Sequence, residues 1–178
     1  DAKGNNEDTY MLGKIAVSQL QHLIIAYKER YDRNNFFQNL LLDNMLLVDI
    51  YNKAKKLHIE AAVRRAVFLI ETDKEKDSTT TELLNGMFSN QVGDYITAVD
   101  ENNVILIKEL EPDEDYTRLE QIAHVIVDMM NMEAMMNVRV SYGTIVGELK
   151  EVSKSYKEAK MALDVGKIFY AEKKVTAY

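Results

Sequence analysis

The segment Asp94–Leu110, which reads DYITAVDENNVILIKEL, consists of two apolar runs joined by a short polar link. The link is formed by four residues: Asp100, Glu101, Asn102 and Asn103. Two apolar runs around such a link are typical of a β-hairpin. Asparagine suits the tip because it tolerates left-handed backbone and hydrogen-bonds to its own main chain. The segment therefore predicts two antiparallel strands, Asp94–Val99 and Val104–Leu110, with a polar turn between them.

Upstream of the hairpin, the sequence predicts a strand and then a helix. The continuous apolar run AVFLI, residues 66–70, contains β-branched and aromatic residues, as is typical of a strand that is covered on both faces. A helix is predicted up to Phe88, because Thr79 and Glu82 have the spacing of a capping box, in which each side chain bonds a free main-chain N–H of the first turn.

Downstream of the hairpin, Pro112 and the acidic residues after it suit a helix N-terminus. They predict a long helix from Tyr116 to about Met136. The remaining predicted elements are a short strand at 138–143, a helix from Glu148 to Val165 and a closing strand at 173–178.

From Ala66 the predicted order is β-α-β-β-α-β, followed by α-β. The first six elements have the order of the ferredoxin-like split βαβ fold. We therefore expect an α+β protein: an antiparallel sheet with helices on one face, preceded by an N-terminal helical segment.

The N-terminal segment predicts a long helix from Glu7 to Arg33, in which only Gly13 weakens the helical pattern. One set of apolar residues has spacings of seven, three, four, three and four, which is the repeat of a two-helix coiled coil. This set, here called the seam, is Tyr10, Val17, Leu20, Ile24, Tyr27 and Tyr31. A second set widens the apolar surface: Leu12, Ala16, Leu23 and Ala26.

Two interpretations of this helix remain open. It either packs on its own domain or forms a homodimer through Val17, Leu20, Ile24, Tyr27 and Tyr31. Two short amphipathic helices, NNFFQNLLLDNM and LLVDIYNKAKKL, follow it. The sequence thus predicts N-terminal dimerisation or linker helices over residues 1–60 and an α+β domain over residues 61–178.

Composition excludes several classes of function. The 178 residues carry a net charge of −7, which argues against a nucleic-acid-binding surface. The absence of cysteine removes disulfides, thiolate catalysis and cysteine-based zinc sites, and it fits a cytoplasmic protein. No apolar run approaches the roughly 20 residues of a membrane span. No phosphate-binding loop or dinucleotide fingerprint occurs, so no cofactor and no metal ion is predicted.

The C-terminal forty residues carry a family resemblance. In VSYGTIVGELKEVSKSYKEAKMALDVGKIFYAEKKVTAY, the tripeptide Ser141-Tyr142-Gly143 and the segment SYKEAKMAL fit the C-terminal frame of GGDEF domains, the catalytic domains of diguanylate cyclases. The stretch resembles even more the degenerate GGDEF-like domain of the sugar-diacid and purine-catabolism regulators of the CdaR/PucR type. The resemblance covers about residues 33–178. It implies a bacterial regulator whose C-terminal helix-turn-helix domain binds DNA and is not in this sequence.

The resemblance also gives the hairpin link a meaning. Aligned without a gap, the Gly-Gly-Asp-Glu-Phe positions of a cyclase become Asp100, Glu101, Asn102, Asn103 and Val104. Two negative side chains replace the glycines, and two neutral amides replace the acids that contribute to metal binding and catalysis. Glu71 and Asp73 come just after the first predicted strand. In cyclases, metal-binding acids lie near the corresponding positions. We expect these two to be ordinary loop residues, and the chain to be no enzyme.

Three candidate functions therefore remain. The first is a non-catalytic regulatory and dimerisation module of a transcription regulator. The second is a small-molecule sensor for a diacid or a nucleotide-like effector. The third is an active nucleotide cyclase, which the residues of the link oppose.

Overall fold

The computed structural model describes residues 7–72, 78–88, 93–100, 103–170 and 172–178. Its helices are α1 (Glu7–Leu41), α2 (Leu47–Lys56), α3 (Ser78–Phe88), α4 (Tyr116–Ala134) and α5 (Val152–Phe169). Its strands are β1 (Arg65–Thr72), β2 (Tyr95–Thr97), β3 (Asn103–Glu109), β4 (Val138–Tyr142) and β5 (Val175–Ala177). A 3-10 turn, Leu149–Glu151, precedes α5. Within these residues, no helix combines the length and the apolar character that crossing a bilayer requires.

The strands form one sheet in the order β2-β3-β1-β4-β5. The central strand β1 pairs antiparallel with β3 on one side and with β4 on the other. β2 and β3 form the predicted hairpin, with Thr97 opposite Ile105. β5 pairs in parallel with β4, because the chain crosses back through α5 before it joins the sheet. The predicted α+β fold class is confirmed, and the parallel fifth strand makes the sheet mixed rather than wholly antiparallel.

One face of the sheet packs against α3 and α4. Alternate residues of β1, namely Ala66, Phe68 and Ile70, are buried in one apolar cluster with residues of α4 such as Leu119 and Ile126. Leu119 and Ile126 are seven residues apart, so both lie on the same side of the helix. These two helices belong to the first six elements, and they share one face as predicted.

The opposite face of the sheet is covered by α5. Ser141 alternates along β4 with the cluster residues Val140 and Tyr142, and its hydroxyl donates to the main-chain oxygen of Ala159 in α5 at 2.8 Å. Successive side chains of a strand point to opposite faces. The continuous apolar run of β1 therefore needs cover on both sides, and α5 supplies the second cover.

The chain divides into two compact units, residues 1–36 and residues 37–178. Helix α1 runs without a break to Leu41, so the predicted short helix NNFFQNLLLDNM is its continuation up to that residue and not a separate helix. The sequence there has neither proline nor glycine to end the helix at Arg33. α2 belongs to the second unit, while the division into functional domains at residue 60 stays a prediction.

Candidate functional site

The tip of the β2–β3 hairpin is closed by Asp100 and Asn103. The Asp100 carboxylate accepts a hydrogen bond from the main-chain N–H of Asn103 at 2.8 Å. Both of its oxygens also accept from the side-chain amide of Asn103 at 2.9 Å. An acidic side chain that bonds a main-chain N–H three residues later stabilises a tight turn. Glu101 and Asn102 lie outside the described residues.

Glu71 lies within β1, and not after it as the sequence suggested. Its neighbours in the sheet are Asn103 on β3 and Arg139 on β4, so the three residues form one row across the face that α5 covers. Lys167 of α5 forms an ion pair and a hydrogen bond with Glu71 through its ammonium group. Asp73 lies outside the described residues.

The Glu71–Lys167 pair is partly shielded from water. The Glu71 side chain is 18% exposed and that of Lys167 is 35% exposed. Desolvation strengthens a contact between opposite charges and makes either charge costly to leave alone. Sequence reasoning missed Lys167. A signal was present, because a carboxylate that follows the apolar run of a strand is stabilised by a nearby cation, and Lys167 follows the buried Leu163 by four residues on α5.

Among the described residues, no three histidine, aspartate or glutamate side chains come together as a metal-binding group. Two acidic groups near the tip of the hairpin are instead bonded by other side chains. The Asp100 carboxylate bonds Asn103, and the Glu71 carboxylate bonds Lys167. Burial raises the pKa of Tyr156 on α5, and the negative charge of Asp100 adds to this rise.

The segment SYKEAKMAL attaches α5 to the sheet. β4 leaves β1 at Gly143, whose N–H donates to the main-chain oxygen of Val67 at 3.0 Å. The N–H of Val67 donates to the hydroxyl of Ser155 at 3.1 Å and is thus satisfied by a helix side chain instead of a strand. The segment after β4 pairs with β1 again where Arg65 forms an antiparallel bridge with Val146. Ser155 therefore takes the place of a missing rung in the ladder.

Two helix side chains, those of Glu158 on α5 and Tyr116 on α4, bond the loop after β4. The buried Glu158 carboxylate accepts hydrogen bonds from the N–H of Thr144, at 3.0 Å, and from its hydroxyl. The N–H of Ile145 donates to the Tyr116 hydroxyl at 3.2 Å. The loop can therefore lie against the helices without leaving these main-chain groups unbonded.

Gly143 lies at a close approach between α5 and the sheet. A Cβ atom at this position would lie 2.0 Å from the main-chain oxygen of Ser155 and 2.8 Å from its hydroxyl oxygen. Ser141, Gly143 and Ser155, three of the residues that mark the resemblance, thus form contacts between α5 and the sheet. Glu158, a fourth, bonds the loop after β4.

A second polar cluster ties the base of the hairpin. Arg65 is 2% exposed, donates to the main-chain oxygen of Glu60 at 2.7 Å and pairs with Glu109 at 3.3 Å. Asp94 accepts from the Lys108 ammonium at 3.0 Å and from the N–H of Glu109 at 2.9 Å. Burial lowers the pKa of Arg65 and raises that of Asp94. The charged groups of Arg65 and Asp94 therefore both bond partners within the fold.

A cleft of about 440 Å³ lies at the C-terminal end of α2. It is lined by Tyr51, Ala54, Lys55, His58, Ile59, Glu60 and Ala61. The N–H of Ile59 donates to the oxygen of Ala54 at 2.9 Å, and that of His58 donates to the oxygen of Lys55 at 3.3 Å. This is a Schellman end, in which His58, at φ 54°, occupies the left-handed position that glycine usually takes.

The predicted dimerisation residues lie on α1 and are exposed. Val17, Leu20, Ile24, Tyr27 and Tyr31 each have between 55% and 74% of their surface open to solvent. Their partner, and with it the homodimer, stays a prediction.

Comparison with known proteins gives a family and a fold. A family model described as "GGDEF-like domain" matches residues 44–165. A solved microbial GGDEF domain, described in an interaction with bis-(3,5)-cyclic di-GMP, is 15% identical over 82% of this chain and 92% of that chain, with a TM-score of 0.51.

The GGDEF domain of DgcB from Caulobacter crescentus, in complex with c-di-GMP, is 10% identical over 71% of this chain and 80% of that chain, with a TM-score of 0.44. A search of curated proteins gave no match. At 15% identity the first of these structures informs the fold alone, whereas the family model covers more than half of the residues. The chain belongs to the GGDEF-like domain family.

Proposed function

We propose that this chain is a non-catalytic regulatory and dimerisation fragment of a cytoplasmic bacterial transcription regulator of the CdaR/PucR type. In this proposal it receives or transmits a signal for a C-terminal helix-turn-helix domain, which is not in this sequence and which alone binds DNA. The membership in the GGDEF-like family supports the domain type. The Ser141-Tyr142-Gly143 and SYKEAKMAL segments support the regulator type by resemblance.

The observation that carries the non-catalytic role is the pairing of Glu71 with Lys167. Magnesium in phosphoryl-transfer sites is held by carboxylates together with substrate phosphates. A carboxylate that already bonds an ammonium group must break this contact before it can bind a metal ion. The amide of Asn103, beside Glu71 in the sheet, adds no negative charge. Both features weaken any metal site at this edge of the hairpin.

The test is incubation of the purified chain with GTP or ATP and magnesium or manganese, with detection of cyclic dinucleotides by chromatography. Loss of a charge-stabilising group commonly costs a factor of about 10²–10³ in rate, so several losses together predict no detectable product. A catalytically active GGDEF protein serves as the positive control. Product that disappears in Glu71→Ala or Asp73→Ala variants would overturn the proposal.

The dimerisation role rests on the exposed seam. Burial of a large apolar side chain contributes roughly 1.5–3 kcal/mol, so a seam of five such residues is sufficient to hold two helices together. We expect the double substitution Leu20→Asp and Ile24→Asp to convert a dimer into a monomer in sedimentation experiments. Ile15→Asp with Ile25→Asp is the matched control, because both residues are 55% exposed and lie outside the seam on the same helix. An unchanged mass in the seam variant would contradict this role.

The second candidate function is a small-molecule sensor, and the cleft beside α2 favours it. Its volume of about 440 Å³ falls in the range of ligand sites. Two of its lining residues, Lys55 and His58, suit an anionic effector such as a sugar diacid. Calorimetric titration with a six-carbon sugar diacid and, separately, with cyclic di-GMP tests this function. Binding that weakens in a Lys55→Glu variant would support the sensor, and the absence of binding heat for both compounds would reject it for these effectors.

A further inference from the structure

The seam of α1 has the residue types of one particular coiled coil. In heptad notation Tyr10, Val17, Ile24 and Tyr31 occupy the a positions, while Leu20 and Tyr27 occupy d positions. All six side chains are more than half exposed, although large apolar side chains gain free energy when they leave water. A second helix with the same spacing can cover them.

The central layers indicate the number of helices. Among parallel coiled coils, β-branched residues at a together with leucine at d favour two strands. Val17 and Ile24 are the β-branched a residues, and Leu20 is the d residue between them. We propose that α1 pairs with α1 of a second copy of this chain as a parallel coiled coil in register, so that each seam residue meets its own copy. This inference rests on the proposed dimerisation and adds its direction and register.

The flanking charges favour the parallel direction. Lys14 and Lys28 occupy e positions. In the antiparallel register that keeps the whole seam at the interface, Tyr31 lies opposite Gly13 of the other copy, and Lys14 lies beside its Lys28. Like charges would then meet twice. In the parallel pair, each of these lysines lies beside an uncharged g residue of the other copy, Thr9 or Leu23. The parallel pair therefore avoids the repulsion.

The absence of cysteine from the chain permits a direct test. Single cysteines are introduced by Tyr31→Cys and by Tyr10→Cys, near the two ends of the seam, and the dimer mass of each variant is verified by sedimentation. In a parallel pair the two new cysteines face each other. Their Cα atoms then lie within the 4.4–6.8 Å separation that a disulfide requires. In the antiparallel register the two copies of residue 31 lie 18 residues apart along the axis, which is about 27 Å.

We expect both variants to form an interchain disulfide at least about tenfold faster than Glu29→Cys, a control at the outward f position of the same helix. A dimer in which neither end variant cross-links with itself, while a mixture of Tyr31→Cys and Gly13→Cys does, would overturn the parallel direction and leave dimerisation intact. A monomeric parent chain would overturn both proposals. These outcomes separate the failure of the direction from the failure of the dimer.

Discussion

Replacement of Gly143 by alanine tests the claim that the family signature is a packing contact. The added Cβ would lie 2.0 Å from the main-chain oxygen of Ser155 and 2.7 Å from its carbonyl carbon. Ordinary contact begins near 3.4 Å, so α5 must move away from the sheet by more than an ångström. A flexible side chain cannot absorb this shift, because the contacted atoms belong to the helix backbone.

The magnitude follows from the contacts that hold α5 at this point. Overpacking a core costs about 1–3 kcal/mol, and each buried group that loses its hydrogen bond adds about 1–3 kcal/mol. The bond from the Val67 N–H to Ser155 and the bond from Ser141 to Ala159 both span the interface that must open. We expect a loss of about 4 kcal/mol in the free energy of unfolding. For a chain of this size, this lowers Tm by roughly 8–16 °C.

The assay is thermal and urea unfolding followed by far-ultraviolet circular dichroism, with near-ultraviolet signals from the tyrosines as a second probe. Gly147→Ala is the matched control, since a Cβ there meets nothing within 4 Å. A Gly143→Ala variant with the stability of the Gly147→Ala variant would refute the reasoning. It would mean that α5 does not approach the sheet at Ser155.

Three further predictions concern other parts of the chain. Replacement of His58 by glycine should raise the free energy of unfolding by about 1 kcal/mol, because it relieves a left-handed residue, whereas His58→Ala should not; urea midpoints measure both. Burial raises the pKa of Asp94 above the ordinary 3.8, so the native protein binds this proton more tightly than the unfolded chain. The stability of the parent relative to Asp94→Asn should therefore fall as pH rises from 3.8 through the raised pKa, and equal differences at about pH 4 and about pH 7 would contradict this. With a net charge of −7, the chain should not shift duplex DNA in a gel at micromolar concentration and physiological salt.

Local pattern was sufficient for the elements and their order. The polar link between two apolar runs predicted the β2–β3 hairpin, and the apolar run of β1 predicted a strand covered on both faces. The start of α4 at Tyr116 was also predicted, and Asp115 caps it by accepting from the N–H of Thr117 at 2.9 Å. These features depend on residues within a few positions of one another. Their periodicity and capping are therefore visible in the sequence.

The partners within the candidate site were decided by the tertiary structure. Glu71 and Lys167 are 96 residues apart, and Val67 and Ser155 are 88 residues apart. No periodicity relates such distant residues. Their meeting requires the strand order, the register of β1 with β4, and the side of the sheet on which α5 returns. A one-residue shift in register would send Glu71 to the other face of the sheet, away from α5. The sequence by itself thus determined which groups are charged, while the packing of α5 decided which of them neutralise each other.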